Sequence, residues 1–310
     1  MQLVDYYYSR GKLLLTGEYL VLDGAPALAI PTQKGQWMQV TALESNAPLI
    51  HWESFDVKGN VWFDAQIDFL NWEISITNEK EIAQQLVTLL KAIQNLQPKA
   101  FSTAQSLHFI THLEFPNEWG LGTSSTLIAN LAKWSHTNPY QLLEASFGGS
   151  GYDIACANAK GPIRYRRNQF QPIVENITWH PVFAQQLAFL YLGQKQNSRE
   201  GIARYREKKQ NLPLPSLIKQ LEQLNTQWLE AAHLQEFEKV MQEHETLISS
   251  IIDLPPLRES LFPDYEGQLK SLGAWGGDFA LVTLPDGITE AQKYFQEKSL
   301  PVLIPFEEMI

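Results

Sequence analysis

Short runs in which hydrophobic and polar residues alternate dominate the first 75 residues of the chain, and this pattern predicts β-strands. Glycine and proline residues lie between the runs and predict turns. We predict strands at residues 3–8, 12–16, 27–31, 37–43 and 61–63. The beginning of the chain is therefore expected to form a sheet.

A helix is predicted after these strands, because apolar residues recur there every three or four positions. These residues are Ile82, Leu86, Leu89, Leu90, Ile93 and Leu96. Asn78 and Glu81 resemble a capping box at the start of this helix, and Pro98 marks its end. Residues 107–115 alternate like another strand and lead into a glycine loop, which opens a second helix.

The second half of the chain combines buried strands with helical spacing. Residues 187–192 predict a buried strand, and residues 216–252 predict a helical stretch with Ser216 as its cap. A pair of prolines ends this stretch. Two further strand regions are predicted near the end of the chain, at residues 271–284 and 301–305.

The length of the chain and the order of these elements indicate two domains of the α+β class. A chain of 310 residues is long enough for two cores. Strands and helices occur in both halves without the regular alternation of βαβ units, so a doubly wound sheet is disfavoured. We place an N-terminal domain at residues 1–175 and a C-terminal domain at residues 176–310.

Composition narrows the class of protein. Hydrophobic residues make up 44% of the chain and charged residues 19%, as in soluble globular proteins. The net charge of −10 argues against a nucleic-acid surface, and no apolar run is long enough to span a bilayer. The single cysteine, Cys156, excludes an intrachain disulfide and a zinc site built on several cysteines. We expect a cytoplasmic protein that binds neither nucleic acid nor membranes.

Residues 119–127 form a glycine loop with hydroxyl side chains that leads directly into a predicted helix. Gly120 and Gly122 let the backbone turn tightly and approach a ligand closely. The free N–H groups and the positive dipole end of the helix favour a phosphate. The loop is consistent with a phosphate cradle, and equally with an ordinary helix entry capped by a serine.

Three glycine-containing segments carry polar residues suited to phosphoryl transfer, at residues 10–19, 116–125 and 270–278. In this order and at these places they resemble the three motifs of the GHMP kinases. This superfamily is named after galactokinase, homoserine kinase, mevalonate kinase and phosphomevalonate kinase. The second motif is the most specific, with a proline, three residues, Gly-Leu-Gly and a hydroxyl-rich triplet. Residues 149–155 also resemble the family segment that carries the catalytic aspartate.

The resemblance implies a two-domain fold: an N-terminal domain like ribosomal protein S5 domain 2, a C-terminal ferredoxin-like domain and an active site between them. It implies ATP and Mg²⁺ as cofactors and a small acidic substrate, and it leaves a homodimer open. It places the ATP phosphates against the backbone of Gly120, Leu121, Gly122, Thr123, Ser124 and Ser125. Mg²⁺ prefers oxygen ligands, and the candidates are the hydroxyl of Ser125, or that of Ser124, and the carboxylate of Glu144.

The resemblance also implies roles for charged residues. Asp153 would be the base that accepts the proton of the substrate hydroxyl. Lys12, expected beside it, would keep Asp153 ionised and neutralise charge on the transferred phosphoryl group. Glu18, Ser150 and Arg199 are the candidates for substrate contacts, and Arg199 lies in a basic segment that suits an acidic substrate. Without the resemblance, Asp153 would be interpreted as a helix cap and Lys12 as a solvated lysine.

The segment Gly17-Glu18-Tyr19 is similar to phosphomevalonate kinases, because mevalonate kinases and galactokinases tend to have histidine at its third position. We therefore expect transfer of the ATP γ-phosphoryl group to mevalonate or 5-phosphomevalonate, in isoprenoid precursor synthesis. The alternatives are a homoserine or sugar kinase, the diphosphomevalonate decarboxylase, and a catalytically silent metabolite-binding homologue. Trp275 in the third motif keeps the last alternative open, because a tryptophan narrows the loop and adopts φ > 0 with difficulty.

Overall fold

The computed structural model describes residues 3–44, 48–101, 105–193 and 198–310. The strands in these ranges are β1 (Leu3–Leu14), β2 (Ala27–Glu44), β3 (Leu49–Phe55), β4 (Val61–Asp68), β5 (Glu73–Thr77), β6 (Gln105–Leu113), β7 (Ile163–Arg166), β8 (Ile173–Asn176), β9 (Leu187–Tyr191), β10 (Leu269–Leu272), β11 (Phe279–Thr283) and β12 (Leu303–Pro305). The α-helices are α1 (Lys80–Leu96), α2 (Thr123–Ser135), α3 (Pro139–Glu144), α4 (Tyr152–Asn158), α5 (Ser198–Lys208), α6 (Leu214–Glu230), α7 (Leu234–Ile252), α8 (Leu257–Leu261), α9 (Ile288–Glu297) and α10 (Phe306–Met309).

The strands up to β8 form one mixed sheet in the order β5-β4-β3-β6-β2-β7-β8, with β1 also paired to β2. The long strand β2 pairs with β7 near its start and with β6 towards its end, while β1 follows it along most of its length. Strands β3 and β6 run parallel to each other. One face of the sheet packs against α1 and α2 in a cluster that includes Trp52, Phe109 and Ile128. The register of the β1–β2 pair shifts between Arg10 and Lys12, so the candidate site residue Lys12 lies at a bulge in β1.

The strands from β9 onward form a second, antiparallel sheet in the order β10-β11-β9-β12. Helices α6 and α7 pack against each other, and α7 contacts β10. One hydrophobic cluster contains residues from both halves of the chain, among them Leu13, Leu121, Phe237 and Phe279. Because this core crosses residue 175, the division into two domains stays a prediction.

The α+β class is confirmed, since the helices and strands do not follow a βαβ alternation. The predicted strands at 3–8 and 12–16 are continuous as β1, and those at 27–31 and 37–43 are continuous as β2. Gly35, which indicated a turn in the sequence, lies inside β2, where the backbone of β1 leaves no room for a Cβ.

Three predicted helix boundaries are wrong, among them the Ser216 cap, because α6 begins at Leu214 with Pro213 as its N-cap. Helix α1 has Glu79 as its N-cap, and the Asn78 amide instead bonds the backbone of β4, at 2.9 Å and 3.2 Å. The stretch at 216–252 is two helices, α6 and α7, which residues 231–233 separate with non-helical backbone. The sequence did not predict the helices α3, α5, α8, α9 and α10 or the strands β3, β5 and β8. No helix in the described ranges is both long and apolar enough to cross a membrane.

Candidate active site

The glycine loop between β6 and α2 turns the backbone so that it lines a cavity. Gly120 has a φ of 64° and Gly122, the N-cap of α2, has a φ of 98°, both in the left-handed region. A Cβ at Gly120 would overlap the carboxylate of Asp278, and one at Gly122 would lie 2.5 Å from Ser125 Oγ. Both positions therefore require glycine, for conformation and for space.

The first turn of α2 lines the same cavity. Thr123, Ser124 and Ser125 occupy its first three positions, where backbone N–H groups have no partner within the helix. This agrees with the predicted helix entry, although the N-cap is Gly122 and not a hydroxyl residue. Leu121, predicted to contact the ATP phosphates, is fully buried in the core and does not line the cavity.

The cavity has a volume of about 680 Å³, which is within the range of small-molecule sites. Strand β1, the glycine loop and α4 line it from the first half of the chain, and α5 and the loop between β10 and β11 line it from the second. Its charged side chains are Lys12, Asp153, Arg206 and Asp278. The site therefore combines two cations and two carboxylates.

Lys12 is bonded to the glycine loop at two points. Its backbone N–H donates to Leu121 O at 3.0 Å, and its Nζ donates to Gly120 O at 3.0 Å. The ammonium lies 5.8 Å from the centre of the Tyr152 ring. The bulge in β1 and these two bonds hold a positive charge beside the loop backbone.

Asp153 lies in the first turn of α4 and is partly buried in the wall of the cavity. Burial raises the pKa of its carboxyl above the ordinary value, while the charge of Lys12 and hydrogen bonds from the Ile154 N–H and the Ser125 hydroxyl limit the rise. Lys12 and Asp153, both described by the structure, form no direct ion pair, because Lys12 Nζ bonds Gly120 O. Lys12 therefore acts on Asp153 through its charge and not through a salt bridge.

Glu18 belongs to a buried cluster beside the cavity and not to the cavity lining. It is 2% exposed, and its Oε1 accepts a hydrogen bond of 2.6 Å from Lys270 Nζ. Burial raises the pKa of Glu18, and the Lys270 ammonium opposes that rise. The structure thus gives Glu18 a partner in the third motif in place of the predicted substrate contact.

His244 and Glu245, consecutive residues of α7, complete this Glu18 cluster (Glu18, His244, Glu245 and Lys270). His244 Nε2 accepts the N–H of Gly17 at 3.1 Å, so the ring is neutral with its proton on Nδ1, and burial lowers its pKa well below the ordinary value. Burial raises the pKa of Glu245 to about 8. The cluster joins the first motif to the second half of the chain.

The structure does not bring every predicted site residue into the cavity. Ser150 lines it, as expected. Glu144 is exposed at the end of α3 and pairs with Arg167 at 3.6 Å, outside the cavity, so its carboxylate does not meet Ser125. Arg199 belongs to α5, and its side chain lies outside the described part of the chain.

Two residues of α5, Ile202 and Arg206, line the cavity and were missed. Helical spacing of Arg206 seven residues after Arg199 was the signal that could have found it.

Trp275 does not line the cavity. Positive φ falls on Gly273 (77°) and Gly276 (69°), and Trp275 donates its backbone N–H to the Tyr19 hydroxyl at 3.1 Å. Trp275 itself therefore needs no left-handed backbone in the third loop.

No protein-family model and no curated protein matches the sequence. The fold, in contrast, matches solved structures along their whole length. Streptococcus pneumoniae phosphomevalonate kinase in complex with phosphomevalonate and AMPPNP matches with a TM-score of 0.68 at 16% identity, over 99% of this chain and 100% of that one. L. major mevalonate kinase in complex with R-mevalonate matches with 0.67 at 17% identity, over 97% and 95%. Lactococcus lactis galactokinase complexed with galactose matches with 0.64 at 12% identity, over 97% and 93%.

The chain has the GHMP kinase fold. Within this GHMP kinase fold, the segments at 10–19, 116–125 and 270–278 each contribute residues to the one cavity, although more than 90 residues separate each from the next. The TM-scores of 0.64–0.68 establish the fold, and sequence identities of only 12–17% leave the substrate open.

Proposed function

We propose that this chain is an ATP-dependent kinase that transfers the γ-phosphoryl group of ATP to a small acidic metabolite. The observation that carries the proposal is the convergence of Lys12, Ser125 and Asp153 at the glycine loop. Phosphoryl transfer depends on positioning and charge neutralisation, and these three residues supply a cation, a hydroxyl and a carboxylate to the lining of one cavity.

The glycine loop fits the phosphates of ATP. Gly120 and Gly122 have no Cβ to keep a ligand away, and the first turn of α2 offers N–H groups and the positive end of its dipole. For Mg²⁺, the Ser125 hydroxyl in the first turn of α2 is an oxygen ligand of the kind this ion prefers. When bound, Mg²⁺ would neutralise charge on the phosphates of ATP.

Asp153 is suited to accept the proton of an alcohol acceptor. A carboxyl whose pKa is raised by burial is a stronger base than an exposed one, and it lies in the same cavity as the loop. The Lys12 ammonium, held by Gly120 O, would offset negative charge that develops on the transferred group. A phosphate acceptor, which is mostly ionised at pH 7, would need the positioning but not the proton transfer.

The acceptor we propose is mevalonate or 5-phosphomevalonate, in isoprenoid precursor synthesis. An acidic acceptor fits the two cations of the cavity, Lys12 and Arg206, which approach from opposite halves of the chain. Two solved structures with this fold are described as complexes with R-mevalonate and with phosphomevalonate. A galactokinase and the Staphylococcus aureus mevalonate diphosphate decarboxylase, with a TM-score of 0.60, share the fold as well.

An acceptor panel tests this proposal. Purified protein and Mg-ATP are incubated with mevalonate, 5-phosphomevalonate, 5-diphosphomevalonate, homoserine or galactose, and ADP release is followed by a coupled assay. We expect acceptor-dependent ADP release with a mevalonate-series compound and no release of CO₂. Turnover with homoserine or galactose alone would contradict the substrate, and ATP binding without any turnover would favour a silent homologue.

A further inference from the structure

A second cluster of ligand-type side chains lies on the first sheet, away from the cavity. His51 and Glu53 are on β3, His108 is on β6, and Asp64 is on β4. His108 Nε2 lies 2.7 Å from Glu53 Oε2, and His51 Nε2 lies 3.0 Å from Asp64 Oδ2. One ligand atom from each of His51, Glu53 and His108 lies within 4.8 Å of the others.

The strand pairing brings these side chains together. His51 and His108 are direct partners in the parallel pair β3–β6, and their rings stack with centres 4.7 Å apart and planes 7° from parallel. Glu53, two residues after His51, points to the same face of the sheet, and its antiparallel partner on β4 is Asp64. A sheet holds such neighbours in a fixed arrangement, so little reordering would be needed to bind an ion.

The geometry points to a transition-metal site: we propose that His51, His108 and Glu53 bind a divalent ion of the zinc type, with Asp64 as a fourth ligand. Imidazole and carboxylate together suit Zn²⁺, Co²⁺ or Ni²⁺ better than Mg²⁺. Tetrahedral zinc bonds of about 2.0–2.2 Å place ligand atoms roughly 3.3–3.6 Å apart, so side-chain rotations would have to close the present separations of up to 4.8 Å. The four side chains are between 25% and 40% exposed, which gives the ion a path from solvent.

The ion would take the place of the hydrogen bonds that the cluster now makes. Each histidine Nε2 is within hydrogen-bond distance of a carboxylate oxygen. A neutral imidazole that carries its proton on Nδ1 offers the Nε2 lone pair to a metal, and the carboxylate oxygen then becomes a second ligand. Without a metal, the same contacts are two histidine–carboxylate hydrogen bonds on a sheet surface.

Calorimetric titration with ZnCl₂ tests the site, on the full chain with saturating Mg²⁺ so that oxygen sites are filled. The test variant is the double substitution His51→Gln with His108→Gln. The matched control is His112→Gln, a half-exposed histidine on the same strand β6 and the same face, outside the cluster. We expect one zinc ion per chain, bound at least tenfold more weakly by the double variant and unchanged in the control.

Co²⁺ gives a second readout, because a tetrahedral site with histidine ligands produces intense visible absorption. We expect these bands in the wild type and in His112→Gln and their loss in the double variant. If the double variant fails to fold, Glu53→Gln alone, which keeps both rings, should weaken zinc binding and remove the bands. Absence of stoichiometric zinc binding, or equal affinity in all variants, would overturn the proposal whatever the kinase assay shows.

Discussion

Lys270 Nζ and Glu18 Oε1 are 2.6 Å apart in an ion pair whose side chains are at most 1% exposed. Glu18 belongs to the first glycine segment and Lys270 begins the third, so the pair joins two motifs that are 252 residues apart in sequence. Lys270 also donates to Ser271 O at 2.8 Å, which places its charge at the start of the third loop. The pair therefore positions two loops around the cavity from outside it.

Removal of Lys270 is expected to be strongly destabilising. Lys270→Met would leave Glu18 buried without its cation, and breaking a buried pair in this way costs about 3–5 kcal/mol of unfolding free energy. The matched control is Arg166→Met, because Arg166 pairs with Glu222 across the same two halves at 2.7 Å, with both side chains 43% exposed. Exposed pairs contribute about 0–1 kcal/mol. Equal losses in denaturant unfolding of the two variants would contradict the positioning role.

Glu245 should make stability depend on pH. Its pKa is raised from the ordinary 4.5 to about 8, so between these values the folded state keeps a proton that the unfolded state has lost. The free energy of unfolding therefore falls as the pH rises from 5 to 8. The fall is at most about 1.4 kcal/mol for each pH unit between the two pKa values. Glu18 and Lys270 face this carboxyl, and His244 stays neutral over the range. In Glu245→Gln, urea unfolding at several pH values should show a smaller fall; identical slopes would contradict this origin.

Gly120→Ala should damage nucleotide binding specifically. The new Cβ would overlap the Asp278 carboxylate, so the loop or the third segment must move. Gly59→Ala is the control, because Gly59 also has positive φ (81°) but nothing within 4 Å of the added Cβ. Both variants carry a backbone strain of about 1–2 kcal/mol. We expect Mg-ATP affinity in calorimetry to fall at least tenfold in Gly120→Ala alone, and equal affinities would argue against the cradle.

Arg206 should determine affinity for an acidic acceptor. It lines the cavity from α5, and a hydrogen bond between charged groups contributes about 1.5–3 kcal/mol, or roughly 10- to 100-fold in binding. Arg206→Gln should raise the KM for the acceptor by this factor with little change in the KM for ATP. Arg204→Gln, an exposed arginine of the same helix outside the cavity lining, should have no effect. A rise in both variants would indicate a general effect of charge.

Local signals in the sequence predicted the glycine loop well. Gly120 and Gly122 lie where the chain needs left-handed backbone before a helix, and that requirement is carried by the residues themselves. The helical spacing from Arg199 indicates Arg206 as a candidate, but only the packing of α5 beside the cavity gives it a role. The sequence distance between Glu144 and Asp153 gave little support for Glu144 as a Mg²⁺ ligand. In the structure, its side chain lies in solvent at the end of α3.

For the fold as for the site, local sequence patterns predicted the features that depend on neighbouring residues and missed those that depend on long-range packing. Most strands were predicted, but the break between α6 and α7 falls at Ala231-Ala232-His233, which contains neither glycine nor proline. Alanine favours helix, so tertiary packing decides that break. The Glu18 cluster could not be predicted from the sequence either, since its members come together only when the two halves of the chain fold against each other.

The most direct test compares wild type with Asp153→Asn in acceptor-dependent ADP release at saturating Mg-ATP. With an alcohol acceptor such as mevalonate, we expect kcat to fall by about 10²- to 10⁴-fold in the variant, while Mg-ATP affinity stays within a fewfold of wild type. With a phosphate acceptor the loss should be smaller, because no proton has to be removed from it. An Asp153→Asn enzyme that phosphorylates an alcohol at the wild-type rate would contradict the proposed base and the site assembled around the glycine loop.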